Sequence, residues 1–193
     1  LDASLFSKII CLAHGSEIPH NPSRSKRARI ERAYGKTSVV IANSNYTAKR
    51  AEPYVTKEGV IKVIYPGITT PTAKNSLREE IGKKLFPSQP IITTVARLEP
   101  RKNQQAVIMA LPFLTKKFPS LLYIIVGDGP DKRKLLALCK KLNVENHVLF
   151  VGSVNNAQKY AYLSNSNLFL MPGVTIDDSV EGFGIAYIEA GFF

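Results

Sequence analysis

Two carboxylates bracket a glycine turn in the stretch E-G-F-G-I-A-Y-I-E, Glu181 to Glu189. Glycine at 182 and 184 lets the backbone turn tightly around Phe183 and approach a ligand with no Cβ in the way. The pattern that follows is helical. The first N–H groups of a helix lack internal partners and carry partial positive charge, which suits a phosphate. A carboxylate at Glu181 beside such an anion site would bind sugar hydroxyls or a developing cation. Glu189, just over one turn into that helix, would reach the same cleft. The competing reading is a capped surface helix with two solvated glutamates.

Three other loops offer chemistry. In A-R-L-E-P-R-K-N, Arg97 and Lys102 flank a proline turn. Two such cations grip a diphosphate, arginine by its planar fork and lysine as a point charge; Arg101 is a third candidate. In V-G-D-G-P-D, Gly127 and Gly129 form half of a dinucleotide fingerprint whose third glycine is absent. A strand–turn–helix junction capped by Asp128 or Asp131 explains the same residues. In F-V-G-S-V, the loop after Val151 could hold a base through its backbone. No metal is expected. Asp177-Asp178 lacks the spacing of an acidic metal motif, and Cys11 and Cys139 stand far apart, as in a protein of a reducing compartment.

The elements that must position these loops follow from periodicity. Before residue 65, Lys8–Ala13, Ser38–Ala42 and Ile61–Ile64 read as short strands. A basic helix around Arg24–Lys36 is expected to turn Arg29, Arg32 and Lys36 outward and Ile30, Ala33 and Tyr34 inward. Ser44 or Asn43 caps a second helix from Tyr46 to Tyr54; Asn45-Tyr46-Thr47, formally a glycosylation sequon, is read as part of that cap. Pro66 to about residue 73 reads as a linker. Beyond it, helix and strand alternate regularly. Strands are expected at Ile91–Ala96, Leu121–Val126, His147–Val151 and Leu168–Met171. Helices are expected around Leu77–Leu85, over Gln104–Phe118 with Val107, Ala110, Leu111, Leu114 and Phe118 inward and a kink at Pro112, over Asp131–Leu142, and over Asn156–Leu163. Such alternation makes a parallel sheet covered on both faces, whose ligands bind beyond the carboxyl ends of the strands. All three loops, and the Glu181 turn, fall at such ends.

Composition narrows the partners. A net charge of +11 favours anionic ones: nucleotide phosphates, lipid headgroups or nucleic acid. Zinc spacing, a helix-turn-helix pattern and interleaved aromatics are missing, which argues against nucleic acid. The basic segment 24–36 has two readings, a solvated helix face and a face resting weakly on an anionic membrane. No apolar run approaches the roughly 20 residues of a membrane span. The first residues carry neither a starting Met nor a basic n-region and read as the interior of a longer chain.

The ordered set R-L-x-P-x-K, V-G-D-G-P, F-V-G and E-G-F-G-I-x-x-x-E resembles the nucleotide-sugar half of family-4 retaining glycosyltransferases with the GT-B fold. The resemblance covers residues 36–193, and the preceding A-H-G-S-E is similar to the last strand of that family's acceptor half. It implies an α/β chain with a Rossmann-like parallel sheet: residues 1–65 from the N-terminal acceptor domain, 66–73 a linker, and 74–193 a C-terminal donor domain cut short within the helix of Glu189. It implies transfer of a sugar from a nucleotide diphosphate sugar to a sugar, lipid-linked or protein acceptor, with retention at the anomeric carbon and without metal or resident cofactor. Arg97, Lys102, Gly182, Phe183 and Gly184 would bind the donor diphosphate. Glu189 would hold the ribose hydroxyls, with Gly127, Gly129 and Val151 around the nucleoside. Glu181 and His14 would act at the reacting carbon. The expected location is cytoplasmic, peripheral on the inner membrane face, and the chain alone is expected to be inactive. An epimerase or phosphorylase on the same scaffold is the nearest rival, and a non-catalytic nucleotide-binding or nucleic-acid-binding module the next.

Overall fold

The computed structural model describes residues 8–176 and 183–193, and these form two compact units. The first takes the described residues up to Gly67 with Thr175, Ile176, Phe183 and Gly184. The second takes Ile68–Val174 and Ile185–Phe193.

In the first unit, β1 (Ile10–Ala13), β2 (Val39–Ala42) and β3 (Val60–Val63) pair in parallel in that order. The crossovers are α1 (Arg24–Tyr34) and α2 (Asn45–Ala51), the latter running into a 3-10 turn, Glu52–Tyr54. Ser44 caps α2, its hydroxyl accepting the Thr47 N–H at 3.1 Å, and Ser23 caps α1 in the same way through Lys26. Ile30 and Tyr34 turn into a core with Ala13, Ile18, Val40, Ala42 and Ala51. Ala33 does not join them: it is exposed, because the inward stripe of α1 is only one residue wide at each turn.

In the second unit, β4 (Ile91–Val95), β5 (Leu122–Val126), β6 (Val148–Gly152) and the two-residue β7 (Leu168–Phe169) form a parallel sheet in the order β6-β5-β4-β7. The residues of β5 alternate strictly between two cores. Tyr123 and Ile125 pack with Val107, Ile108 and Leu111 of α4 (Gln104–Lys117) and with Leu135 and Cys139 of α5 (Lys132–Lys141). Ile124 and Val126 pack on the other face with Ile81 and Leu85 of α3 (Asn75–Leu85) and Ala161 of α6 (Asn156–Ser164). This is the α/β architecture expected, with helices on both faces of a parallel sheet. Asn155 and Gln158 close a reciprocal capping box at the start of α6.

The inward stripe of α4 differs in detail from the periodic reading. Ile108 is fully buried, whereas Phe118 is 38% exposed. Phe118 occupies the C-cap with φ −128°, outside helical geometry, so the helical period no longer aims its side chain. The helix runs on through Pro112 to Lys117.

The short β7 is held by more than its ladder. Tyr123, with its phenol in the core, lies 2.8 Å from Thr94 Oγ1, and that hydroxyl donates to the Leu170 carbonyl. Thr93 Oγ1 meets Ser166 Oγ at 2.6 Å. These hydroxyls fix where the chain leaves the sheet at residues 171–174. Burial raises the phenol of Tyr123 far above its ordinary range, so it stays protonated and available as a donor. Among the described residues no helix is long and apolar enough to cross a membrane.

Candidate active site

In the second unit the loops at the carboxyl ends of β4 and β5 are built around each other. Leu98 is fully buried and anchors the β4 loop. Its N–H donates to the Asp128 carbonyl at 3.1 Å, and its own carbonyl accepts from Asp131 N–H at 3.1 Å. The glycines of V-G-D-G-P permit this approach. Gly127 has φ +136°, and a Cβ there would lie 2.0 Å from the Ala96 carbonyl oxygen. A Cβ on Gly129 would lie 2.5 Å from the Leu98 oxygen. What the fold brings to both glycines is the Ala96–Leu98 backbone rather than open space. Asp131 stands at the N-cap of α5 with no side-chain capping bond. It is Asp128 whose carboxylate accepts from the Gly129 N–H and from Lys132 Nζ, interactions that lower its pKa, the Gly129 bond most.

The cations of the β4 loop differ in setting. Arg97 is exposed and pairs with Glu99 Oε1 at 3.1 Å; Arg101 approaches Glu99 Oε2 at 3.5 Å. One carboxylate thus holds both guanidinium groups. Lys102 is buried, with Nζ 3.9 Å from the Met171 sulfur. Asn103 adopts the left-handed conformation at φ 54° and donates from Nδ2 to the Pro172 carbonyl at 3.1 Å. Val174 N–H donates to the Arg101 carbonyl at 2.8 Å. Beneath the loop, the buried Gln104 donates to the Arg97 carbonyl at 3.0 Å. The fold therefore brings Arg97, Arg101 and Lys102 onto one short loop and sews that loop to residues 171–174.

Glu189 sits in α7 (Ile185–Ala190), 9% exposed. Its Oε1 accepts from Lys159 Nζ at 2.7 Å and from the Tyr160 hydroxyl at 3.2 Å, both on α6. Oε2 has no partner among the described residues. The side chain of Val151 packs toward the α3–α6 core, and Gly152, at φ +81°, faces open space. Glu181 and Gly182 lie outside the described residues. Phe183 belongs to the first unit, where its ring stacks on Tyr65 with centroids 5.7 Å apart; Gly184 follows at φ +81°.

The first unit presents His14 at the carboxyl end of β1, with its side chain exposed and its backbone clamped. The His14 N–H donates to Glu17 Oε1 at 2.7 Å, and its carbonyl accepts from Asn43 Nδ2 at 3.2 Å. Gly15, at φ +103°, is pressed against Thr47, whose Oγ1 would lie 2.9 Å from a Cβ. Tyr34 donates to the same Glu17 oxygen at 3.2 Å. Burial pushes the Glu17 carboxyl up, but hydrogen bonds from backbone amides and from Tyr34 outweigh it and hold the group below the usual carboxylate range.

Several residues here escape periodicity. Glu99, Gln104, Lys159 and Glu17 each read as ordinary surface polar residues, and only their partners, distant in sequence for Lys159 and Glu17, give them a role. Among the described residues no group of three or more His, Cys, Asp or Glu side chains could hold a metal ion.

Residues 77–192 match the family model of the glycosyl transferases group 1. The chain belongs to that family. One relative is the GDP-mannose-dependent alpha-(1-6)-phosphatidylinositol monomannoside mannosyltransferase of Mycolicibacterium smegmatis, 30% identical over 95% of this chain and 49% of its own length. Another is the N-acetyl-alpha-D-glucosaminyl L-malate synthase of Bacillus anthracis, 27% identical over 95% of this chain and 47% of its own. The chain spans about half the length of the curated relatives it matches. Among solved structures, Anabaena HepE in complex with UDP and glucose superposes with a TM-score of 0.78 at 22% identity, covering 96% of this chain and 50% of HepE. WaaG, a glycosyltransferase involved in lipopolysaccharide biosynthesis, superposes at 0.69 with 22% identity, over 88% of this chain and 47% of WaaG. At these identities the two structures speak for the GT-B fold alone. The group 1 family is the coarser form of the resemblance drawn from the motifs.

Proposed function

We propose that this group 1 glycosyl transferase chain binds a nucleotide diphosphate sugar through its second unit and serves transfer of the sugar with retention. The observation that carries the reading is the Arg97–Lys102 loop, sewn to residues 171–174 at the strand ends of a unit that matches the family. Arg97 and Lys102 bind the diphosphate, with Gly182, Phe183 and Gly184 contributing backbone. As the bond between the anomeric carbon and the diphosphate breaks, negative charge grows on the leaving group, and fixed cations stabilise it without a resident metal. The acceptor oxygen bonds to the anomeric carbon on the face the leaving group vacates, and the acceptor proton passes to the departing phosphate. Glu189 accepts ribose hydroxyls on Oε2 while Lys159 and Tyr160 hold Oε1. Gly127, Gly129 and Val151 frame the nucleoside. Glu181 and His14 act at the sugar, with Glu17 and Asn43 fixing the His14 backbone. Relatives named for lipid-linked and small-molecule acceptors support an acceptor in glycolipid or glycoconjugate synthesis. The exposed basic residues of α1 support a cytoplasmic enzyme peripheral on the inner membrane face.

The first test is thermal stabilisation of this chain by nucleoside diphosphates against the matching monophosphates. The diphosphate should stabilise more, and Arg97→Ala should abolish the difference; equal shifts in the wild type would sink the diphosphate grip. In the full-length enzyme, Glu189→Ala should weaken nucleotide binding by about 1.5–3 kcal/mol, as loss of charge-assisted hydrogen bonds does. Glu181→Gln should lower kcat by ~10²-fold or more and leave nucleotide affinity within a few-fold, since only interactions stronger in the transition state affect that step. The reverse pattern would exchange the two roles, and an inverted anomeric product would remove the retaining assignment.

A further inference from the structure

Helix α4 is apolar on both sides. Its inner side, Val107, Ile108 and Leu111, fills the core with Tyr123 and Ile125 of β5. Its outer side repeats Ala106, Met109, Ala110 and Phe113, at the i, i+3, i+4, i+7 spacing of a single helical face. Met109 is 58% and Phe113 75% exposed. No charged residue occurs between Gln104 and Thr115. A surface helix ordinarily turns polar residues outward, and one that is apolar all round is covered. Single apolar residues scattered over a surface need no cover. Two large ones one turn apart on an uncharged stripe form a patch, and a patch marks an interaction site. The stripe ends at Lys116, Lys117 and Phe118, where Lys117 Nζ lies 5.6 Å from the centroid of the Phe118 ring.

The neighbouring helix indicates what covers this stripe. α5 packs beside α4 on the same face of the sheet. Leu135 and Cys139 point into the shared core, so the opposite side of α5 faces solvent. That side carries Arg133, Lys134, Lys140 and Lys141, all exposed, with the exposed Leu136 among them. Neither helix contains an acid. The acids on the segments that adjoin them are Glu99, Asp128, Asp131 and Glu145. Glu99 pairs with Arg97 and Arg101, and Asp128 with Lys132. Set against the six exposed cations of the two helices, counting Lys116 and Lys117, Asp131 and Glu145 leave the face positive. A second copy pressed onto the same face would offer these cations no counter-charge. An anionic bilayer supplies both an apolar boundary for the stripe and phosphates for the cations. We propose that the outer face of α4 and α5 docks on an anionic lipid bilayer, with Met109 and Phe113 entering the headgroup boundary and the α5 cations meeting lipid phosphates. α4 starts directly after the turn that carries Arg101 and Lys102. Its 14 residues span about 21 Å, so a docked α4 keeps the proposed diphosphate loop within reach of the headgroups. The basic residues of α1 lie in the first unit, so the two membrane contacts stand on different residues. Docking is read without nucleotide, and its failure leaves the donor reading standing.

The chain contains no tryptophan, so Phe113→Trp places a single fluorescent reporter on the stripe. The test follows its emission, and the sedimentation of the chain, with phosphatidylcholine vesicles containing or lacking phosphatidylglycerol. A blue shift and saturable binding are expected with the anionic vesicles alone. Phe113→Ser, at an exposed position and with no change of charge, should weaken binding by about tenfold or more. Lys140→Glu should weaken it by about fivefold or more, the worth of a basic residue near an anionic surface. Lys57→Glu, exposed in the first unit, makes the same change of net charge and should weaken it by less than about twofold. No shift with anionic vesicles, or an equal shift with neutral ones, overturns the proposal. Equal losses in Lys140→Glu and Lys57→Glu reduce the face to diffuse charge and overturn it too. Loss in Arg29→Glu with Phe113→Ser unchanged gives the contact to α1 and overturns this face. A dimer that Phe113→Ser dissociates, with no vesicle binding, gives the stripe to a second copy and overturns the bilayer.

Discussion

Gly127 and Gly152 allow the loop-on-loop packing to be tested against an internal control. They face each other across an isolated bridge, with the Gly127 N–H donating to the Gly152 carbonyl at 2.8 Å. Both have positive φ, +136° and +81°. Replacing either by alanine forces a Cβ into a left-handed region, a strain of about 1–2 kcal/mol, partly offset by about 0.4–1 kcal/mol from a less flexible unfolded chain. The unfolded-chain term is common to both variants, and the strain is no smaller at +136° than at +81°. The difference is space: a Cβ at 152 meets nothing within 4 Å, whereas one at 127 lies 2.0 Å from a backbone oxygen. Overpacking costs about 1–3 kcal/mol, and a carbonyl fixed in a strand end cannot rotate away as a side chain can, so the upper half of that range applies. Gly127→Ala should therefore be less stable than Gly152→Ala by about 2–3 kcal/mol. Because the chain has two units, whole-chain unfolding is not a two-state measurement. Native-state hydrogen exchange of the Tyr123–Val126 amides reads the second unit directly. A difference under about 0.5 kcal/mol, the scatter of substitutions that touch nothing, would refute the argument.

Thr94→Val removes the hydroxyl between Tyr123 and the Leu170 carbonyl and strands the buried phenol; it should cost about 1–3 kcal/mol, and adding Tyr123→Phe should recover part of that loss. A double variant whose loss is the sum of the two single losses in urea titrations would show that the three groups do not form a network. Glu17 makes stability depend on acid. Its folded pKa is depressed, so its contribution is complete above the unfolded value of about 4.3 and disappears as pH falls through the lower folded value. Glu17→Gln should be less stable than wild type at pH 7, with the gap closing on acidification below about pH 4. A gap independent of pH in parallel unfolding curves would mean that the carboxylate charge plays no part.

The architecture was legible because burial on both faces of a parallel sheet leaves a strong mark: apolar β-branched runs alternate with helical stripes, as β5 and α5 show. Limits appear where a residue leaves the regular element. Phe118 continues the stripe of α4 in sequence but stands past its last helical turn, and Ala33 falls beside the narrow inward stripe of α1. The loops read differently again. Gly127 and Gly129 stood out in the sequence as half of a dinucleotide fingerprint, yet the reason they are glycines is the backbone of residues 96–98, a neighbour that only folding supplies. Glu189 could be picked out by its spacing from Glu181, but its clamp by Lys159 and Tyr160 comes from the packing of α6 on α7, about 30 residues apart in sequence. Glu181 and Gly182, which the reading weighted most, lie outside the described residues.

Glu99 has a consequence for how the β4 loop meets anions. Its carboxylate is tethered beside Arg97 and Arg101, so it acts as a built-in competitor whose effective concentration is set by the chain and not by the solution. Any incoming anion must displace it, and docking there is an exchange of partners. An exposed pair of this kind is worth at most about 1 kcal/mol, a factor of roughly five. That is enough to turn away chloride or a stray carboxylate, which offer no more charge than Glu99 already does, and too little to resist a multiply charged group that engages several cations together. A basic protein among the polyanions and salts of a cell thus keeps the exposed Arg97 occupied until a ligand of higher charge arrives.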